Sequence, residues 1–372
     1  MIFYYICINE PAPTSKMSKS THIPNRNIRL CQRKSERERK RWKHASSRNR
    51  ILKQTRGKGR ASGKEKKRKD KTISYKETIF FPKRFKFIGN FEDINSLITD
   101  IIEKANQNKD KNGKKSFIFD MKEVEELDTA SINVLLTLTN YLTILGYDVY
   151  GNTPSDQEAK DILRASGFFS HVATSFSVPS CPDTIFTISG DNKTDEDAIG
   201  REIRKIHKSL TGTEDSYLPL YTTLGEIAAN SVEHANRNNA EKNWFMSVHN
   251  EEEKALIMMA DIGEGILNTL NLLFKQETAN KLWREKPHEV LKSTFAGKYQ
   301  SSTRDPNRNT GLPDMVPRVK SNYIENIIVV ANNAVYDFSD KLSRTLNTPF
   351  PGTFYLLEVT KKNIEVWQNR LK

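Results

Sequence analysis

The sequence predicts an α/β protein led by a basic, disordered arm, and three observations carry that reading. From residue 73 onward, short apolar runs alternate with amphipathic stretches, the pattern of strands joined by helices. Residues 1–72 hold 23 Lys and Arg against 5 Asp and Glu, whereas the rest of the chain holds 36 against 41. The net charge of +13 therefore belongs to the arm, and the body is mildly acidic. Finally, 372 residues leave room for two or three domains of about 100–200 residues each.

In the arm, basic clusters at residues 33–34, 37–43, 56–60 and 64–71 are interrupted by Gly57, Gly59 and Gly63. Like charges repel and little apolar surface can be buried, so the expected state is disorder. Residues 26–71 suit a polyanion, either nucleic acid or an anionic surface, bound through counterion release. A solvated tail, or a chain that starts at Met17, is the alternative. Trp42 and His44 are too few to stack bases.

The opening apolar run, residues 1–8, falls far short of the roughly 20 residues that cross a bilayer and lacks a basic flank and a cleavage site. Cys7, Cys31 and Cys181 are scattered, with no C-x-x-C spacing. Neither a disulfide framework nor a cysteine zinc site is expected, and a cytoplasmic setting fits.

The first structured region is expected over residues 73–178. A strand at 79–88 is broken by Pro82, and a helix at 94–105 carries Ile94, Leu97, Ile98, Ile101 and Ile102 on one stripe. A polar loop at 106–115 precedes a short buried strand at 116–120. A helix at 131–145, a strand at 147–150 and a helix at 156–166 follow, which predicts parallel pairing. Pro179 and Pro182 mark a joint at 175–183.

Within this region, residues 117–136 read F-I-F-D-M-K-E-V-E-E-L-D-T-A-S-I-N-V-L-L. Asp128 is a helix N-cap candidate, with small Thr129, Ala130 and Ser131 in the first turn. The string resembles the STAS domain of anti-sigma-factor antagonists over about residues 78–175. In that family the turn reads D-S-S-G and its second serine accepts phosphate. Ala130 occupies that position here, so the resemblance implies a partner-binding domain whose phosphorylation switch is lost unless Thr129 or Ser131 replaces it.

The second region, residues 183–372, carries four separated motifs. In 218–235, Leu220, Leu224, Ile227 and Ala228 form an apolar helical stripe, while Glu226, Asn230 and His234 line another face at i, i+4 and i+8. A carboxylate and an amide one turn apart suit proton acceptance and ligation of a hard cation. Then 256–266 reads as a strand running into a Gly-rich turn, where Asp261 could accept from an amine and Gly263 and Gly265 allow close approach. Residues 303–313 form a polar loop with Arg304 and Arg308 ahead of a short helix, suited to phosphates. The runs 326–331 and 334–338 predict a hairpin around Asn332-Asn333, and 351–359 a closing strand.

In this order the motifs resemble the N, G1, G2 and G3 boxes of the GHKL, or Bergerat-fold, histidine-kinase-like ATPases over about residues 183–360. The resemblance implies an α/β sandwich binding ATP and Mg²⁺. It makes Glu226 the general base and Asn230 the Mg²⁺ ligand. Asp261 would read the adenine amine, with Gly263 and Gly265 shaping the pocket. Arg308 and Gly311 would belong to the phosphate lid, and Thr353 would lie beside the adenine. The lid departs from the usual Gly-x-Gly-Leu, with Asn309 at the first glycine. Asn tolerates a left-handed backbone, so a working lid and binding without turnover both stay open.

No paired histidine-bearing helices precede the N box, which argues against a conventional sensor kinase. The expected function is an ATP-binding regulator, with ATP hydrolysis or Ser/Thr kinase activity open. A protein partner, and a homodimer by resemblance, are expected. The alternative is a non-catalytic interaction module tethered by its basic arm.

Overall fold

The computed structural model describes residues 5–6, 75–174, 185–190, 194–234, 244–270, 286–299 and 311–370. Strand β1 (Tyr5–Ile6) pairs in parallel with a later strand, and the rest of the predicted arm lies outside the described residues. Pro82 does divide the first apolar stretch, leaving β2 (Tyr75–Phe80) and the short β3 (Arg84–Phe85). Helix α1 (Phe91–Asn108) buries Ile94, Ile98 and Ile101 along one side, as their spacing requires. Strands β4 (Lys115–Asp120) and β5 (Glu126–Leu127) lead to α2 (Thr129–Ile144). Asp128 caps this helix by accepting from the Ser131 amide at 2.7 Å. Strand β6 (Asp148–Gly151), helix α3 (Gln157–Ala165) and β7 (Ala173–Thr174), the partner of β1, complete the region. Strands β2, β4 and β6 form a parallel sheet in that order, and β3 pairs in parallel with β5.

The second region opens with β8 (Ile185–Gly190), α4 (Glu196–Thr211) and α5 (Leu218–His234). It continues through β9 (Trp244–Asn250), β10 (Lys254–Ile262), α6 (Ile266–Thr269), α7 (Pro287–Phe295) and α8 (Gly311–Lys320). Strands β11 (Asn326–Asp337) and β12 (Arg344–Thr360) and helix α9 (Lys361–Arg370) close it. The sheet order is β11-β12-β10-β9-β8, antiparallel throughout.

The hairpin expected at Asn332-Asn333 does not form. Strand β11 runs through both residues with register shifts on either side of Asn332, and the chain turns only after Asp337. Asn332 takes a positive φ of 52° where the register shifts, the extra residues lying on β12, and its side-chain amide bonds to Glu264 O and the Leu267 amide rather than closing a turn.

Strands β9 to β12 of this sheet are buried on both faces. Met246, Val248, Ile257, Met259, Tyr355 and Leu357 point toward α4, α5, α7 and α8, where they meet Ile203, Leu224, Ile227, Phe295 and Met315. Phe245, Met258, Ala260, Val330, Phe350 and Phe354 point the other way and join Phe87, Phe91, Ile98, Leu135 and other residues of the first region in one core. Residues 1–9 and 72–372 accordingly form a single unit, with α1 along β12 and α2 along β9 and β10. Two-sided burial explains why β10 reads K-A-L-I-M-M-A-D-I, nearly continuous in apolar residues rather than alternating. Among the described residues no helix is long and apolar enough to cross a membrane.

Candidate functional site

Asp261 sits near the end of β10, opposite Thr353 of β12, and is only 4% exposed. A carboxylate taken out of water needs donors, and two are present. Ser231 on α5 donates its hydroxyl to Oδ2 at 2.7 Å, and the Thr353 amide supplies a backbone hydrogen bond. Burial nevertheless prevails over both and pushes the carboxyl up to about 7. Tyr355, two residues beyond Thr353, is also fully buried, and its hydroxyl finds no partner among the described residues. Burial, reinforced by the Asp261 charge, raises the Tyr355 phenol.

The glycines around Asp261 are required by close approach. Gly352 lies against the Asp261 carbonyl, where a Cβ would overlap the oxygen and come within 2.9 Å of its carbon. The Gly263 amide donates to Pro351 O at 3.1 Å, so the turn after β10 is laced to the start of the closing segment. Gly265 has φ +71°, and a Cβ there would stand 2.5 Å from Oδ1 of Asn332. That amide is already engaged on both sides: Oδ1 accepts from the Leu267 amide at 2.9 Å, and Nδ2 donates to Glu264 O at 2.8 Å. Asn332 on β11 thus ties the Gly-rich turn to the sheet.

Glu226 and Asn230 are half-buried on α5, one turn apart, beside the buried stripe of Leu220, Leu224, Ile227 and Ala228. Gly311, the first residue of α8, abuts the Glu226 carboxylate, where a Cβ would overlap an oxygen and lie 2.8 Å from Cδ. Two turns along α8, Arg318 donates to Thr223 Oγ1 at 2.7 Å. Burial lowers the Arg318 guanidinium, while the charges of Asp314 and Glu226 oppose that shift. Helix α8 is therefore pinned to α5 at both ends, by a close approach and by a charged hydrogen bond.

The structure brings Asp261, Gly263, Gly265 and Thr353 to one end of the sheet, and Ser231 joins them to the helix that bears Glu226 and Asn230. Gly311 comes to Glu226. Arg308 and Asn309 lie outside the described residues, as does the side chain of His234. Sequence reasoning missed Ser231, Asn332, Gly352 and Arg318. Only Ser231 had a local signal, since it follows Asn230 directly. Among the described residues, no three His, Cys, Asp or Glu side chains gather into a metal cage.

The first turn of α2, where a phosphate acceptor was weighed, is closed. Ala130 and Ser131 are buried, at 3% and 0% exposure. The Ser131 hydroxyl donates to Asp128 Oδ1 at 2.6 Å and accepts from the Phe87 amide at 2.7 Å. Thr129 is half-buried, its hydroxyl 3.9 Å from the Met258 sulfur, at the rim of a cleft of about 870 Å³. That cleft, lined also by Asp128, Asp161, His249 and Leu256, includes none of the residues around Asp261. Compared with known proteins, the chain matches no family model and no curated protein.

Proposed function

We propose that this chain is an ATP-binding regulator in which a GHKL-like nucleotide module is joined in cis to a STAS-like partner domain. The observation that carries the reading is Asp261, a buried carboxylate held by Ser231 and Thr353 beside a turn in which Gly265 admits no side chain. An acceptor set in an apolar wall suits the exocyclic amine of a purine, because the amine replaces water lost on burial.

The residues present fit the expected ligands. Asp261 and Thr353 would hold the base, beside the turn that carries Gly263 and Gly265. The segment that ends at Gly311, with Arg308, would cover the phosphates. Asn230 would hold Mg²⁺ together with phosphate oxygens, in keeping with the few protein ligands that Mg²⁺ takes in nucleotide sites. The ion, when bound, neutralises phosphate charge. Glu226 is the group that would accept a proton from water or a hydroxyl.

The STAS-like half serves as a permanent partner rather than a phosphorylation switch. The hydroxyl of Ser131 is fully engaged, and Asn133 donates to Phe245 O at 3.1 Å and to Ser247 Oγ at 2.9 Å on the sheet. A non-catalytic reading is favoured by one observation, the close approach of Gly311 to the Glu226 carboxylate, which leaves no room on that side of the base.

The test is to incubate the full chain with γ-labelled Mg·ATP and follow the label. Binding that Asp261→Asn abolishes is expected. Label released by wild type but not by Glu226→Ala makes the protein an enzyme. Bound but intact nucleotide favours the interaction module, and no binding at all would sink the proposal.

A further inference from the structure

The strand that carries Thr353, the partner of Asp261, is held from the first region. Glu92, in the first turn of α1, accepts from the Asn347 amide at 2.8 Å and the Thr348 amide at 2.9 Å. Asn95, one turn on, donates to Thr348 O at 3.0 Å. Thr99, a further turn on, donates to Pro349 O at 3.4 Å. Phe87 packs against Phe350 and Phe354, with ring centroids 5.6 and 4.7 Å away, so the first region grips the strand on both sides of Thr353.

All of these contacts fall on β12, most of them just before an irregularity: Phe350 pairs with Asn332 and Thr353 with Ala331, so Pro351 and Gly352 are extra residues between the held segment and Thr353. Thr353 lies five residues after Thr348. Between them, Pro351 O receives the Gly263 amide and Gly352 presses on the Asp261 carbonyl.

We propose that Glu92 is a positioning residue for the nucleotide pocket: by fixing residues 347–349 it sets where Gly352 and Thr353 stand, and through them Asp261. A carboxylate that accepts two backbone amides makes the stronger, charge-assisted kind of hydrogen bond. Linkage runs both ways, so nucleotide at Asp261 tightens the hold of α1 on β12. This inference rests on the nucleotide reading for its effect on affinity, but not for its effect on the strand.

The experiment compares the full chain as wild type, Glu92→Ala, Glu92→Gln and Asp93→Asn. Asp93 is an exposed acid in the same first turn, so it reports helix stabilisation without the contact to β12. Amide exchange is read at Gly263 and Thr353, and affinity with a non-hydrolysable Mg·ATP analogue.

Glu92→Ala is expected to speed exchange at both amides about tenfold and to weaken the analogue about tenfold. Glu92→Gln, which keeps one acceptor, should fall between Ala and wild type, and it carries the measurement if Glu92→Ala fails to fold. Asp93→Asn should match wild type. Faster exchange confined to Asn347 and Thr348, or an equal effect from Asp93→Asn, overturns the proposal. If wild type does not bind the analogue, the nucleotide reading fails, while exchange at Gly263 still decides the role of Glu92.

Discussion

Gly311 rests against the carboxylate of Glu226, and the fit leaves no space for even a methyl group between α8 and α5. Gly311→Ala should therefore force the two helices apart, at a cost of about 1–3 kcal/mol in chemical denaturation. Truncating the other side relieves the overlap. The double variant with Glu226→Ala should recover part of the loss, and an additive double-mutant cycle would deny the contact.

Removal of the Ser231 hydroxyl leaves Asp261 with one donor fewer in a buried setting. Ser231→Ala should cost about 1–3 kcal/mol of stability. It should also raise the Asp261 carboxyl above its position near 7, because the lost hydrogen bond favoured the ionised form. Infrared titration of the carboxyl stretch measures the shift, and no upward movement would contradict the assignment.

The sign of the pH dependence follows from the same group. Burial lifts the Asp261 carboxyl from an ordinary value of 3.8 to about 7 in the folded chain. Its contribution to stability is therefore fully present at a pH below the unfolded value and fades as pH rises through about 7. A ligand amine has the opposite preference, since it donates to the ionised carboxylate. Purine affinity should be about tenfold tighter at about pH 8 than at about pH 6. Titration calorimetry of the wild type at both values checks this, and equal affinity at the two would contradict the role of Asp261.

Asn332 combines a positive φ with two hydrogen bonds to the Gly-rich turn. Asn332→Ala should cost about 2 kcal/mol or more, from the unpaired groups and from the left-handed backbone. Asn332→Gly leaves those groups unpaired and removes only the backbone penalty, so it should recover about 1 kcal/mol relative to Ala. Equal melting of the two variants would show that the backbone conformation carries no strain.

Local signals were the legible ones. The Asp128 cap and the start of α2 lie within four residues of each other, and the apolar spacing of α1 and α5 needs nothing but periodicity. The proximity of Asp261 and Thr353 could be inferred because both lie on strands of one sheet. Asn332-Asn333 misled because paired Asn between apolar runs is the ordinary hairpin signal. Its actual use depends on Glu264 and Leu267, which are more than sixty residues distant in sequence. Nor does any local pattern announce that Glu92 and Asn95 reach residues 347 and 348, since the helix reads the same whether its polar side meets water or a strand.

The two-sided burial of the sheet also bears on how the chain is made. Synthesis runs from the N-terminus, so α1 and α2 emerge well before β9, β10 and β12 exist to cover them. The nascent chain must carry that apolar surface uncovered until β12 is polymerised, and a ribosome stalled near residue 300 holds an intermediate that invites aggregation. Chaperone capture of such stalled chains should be greatest just before β12 is complete, and should fall once residues 344–360 have left the exit tunnel.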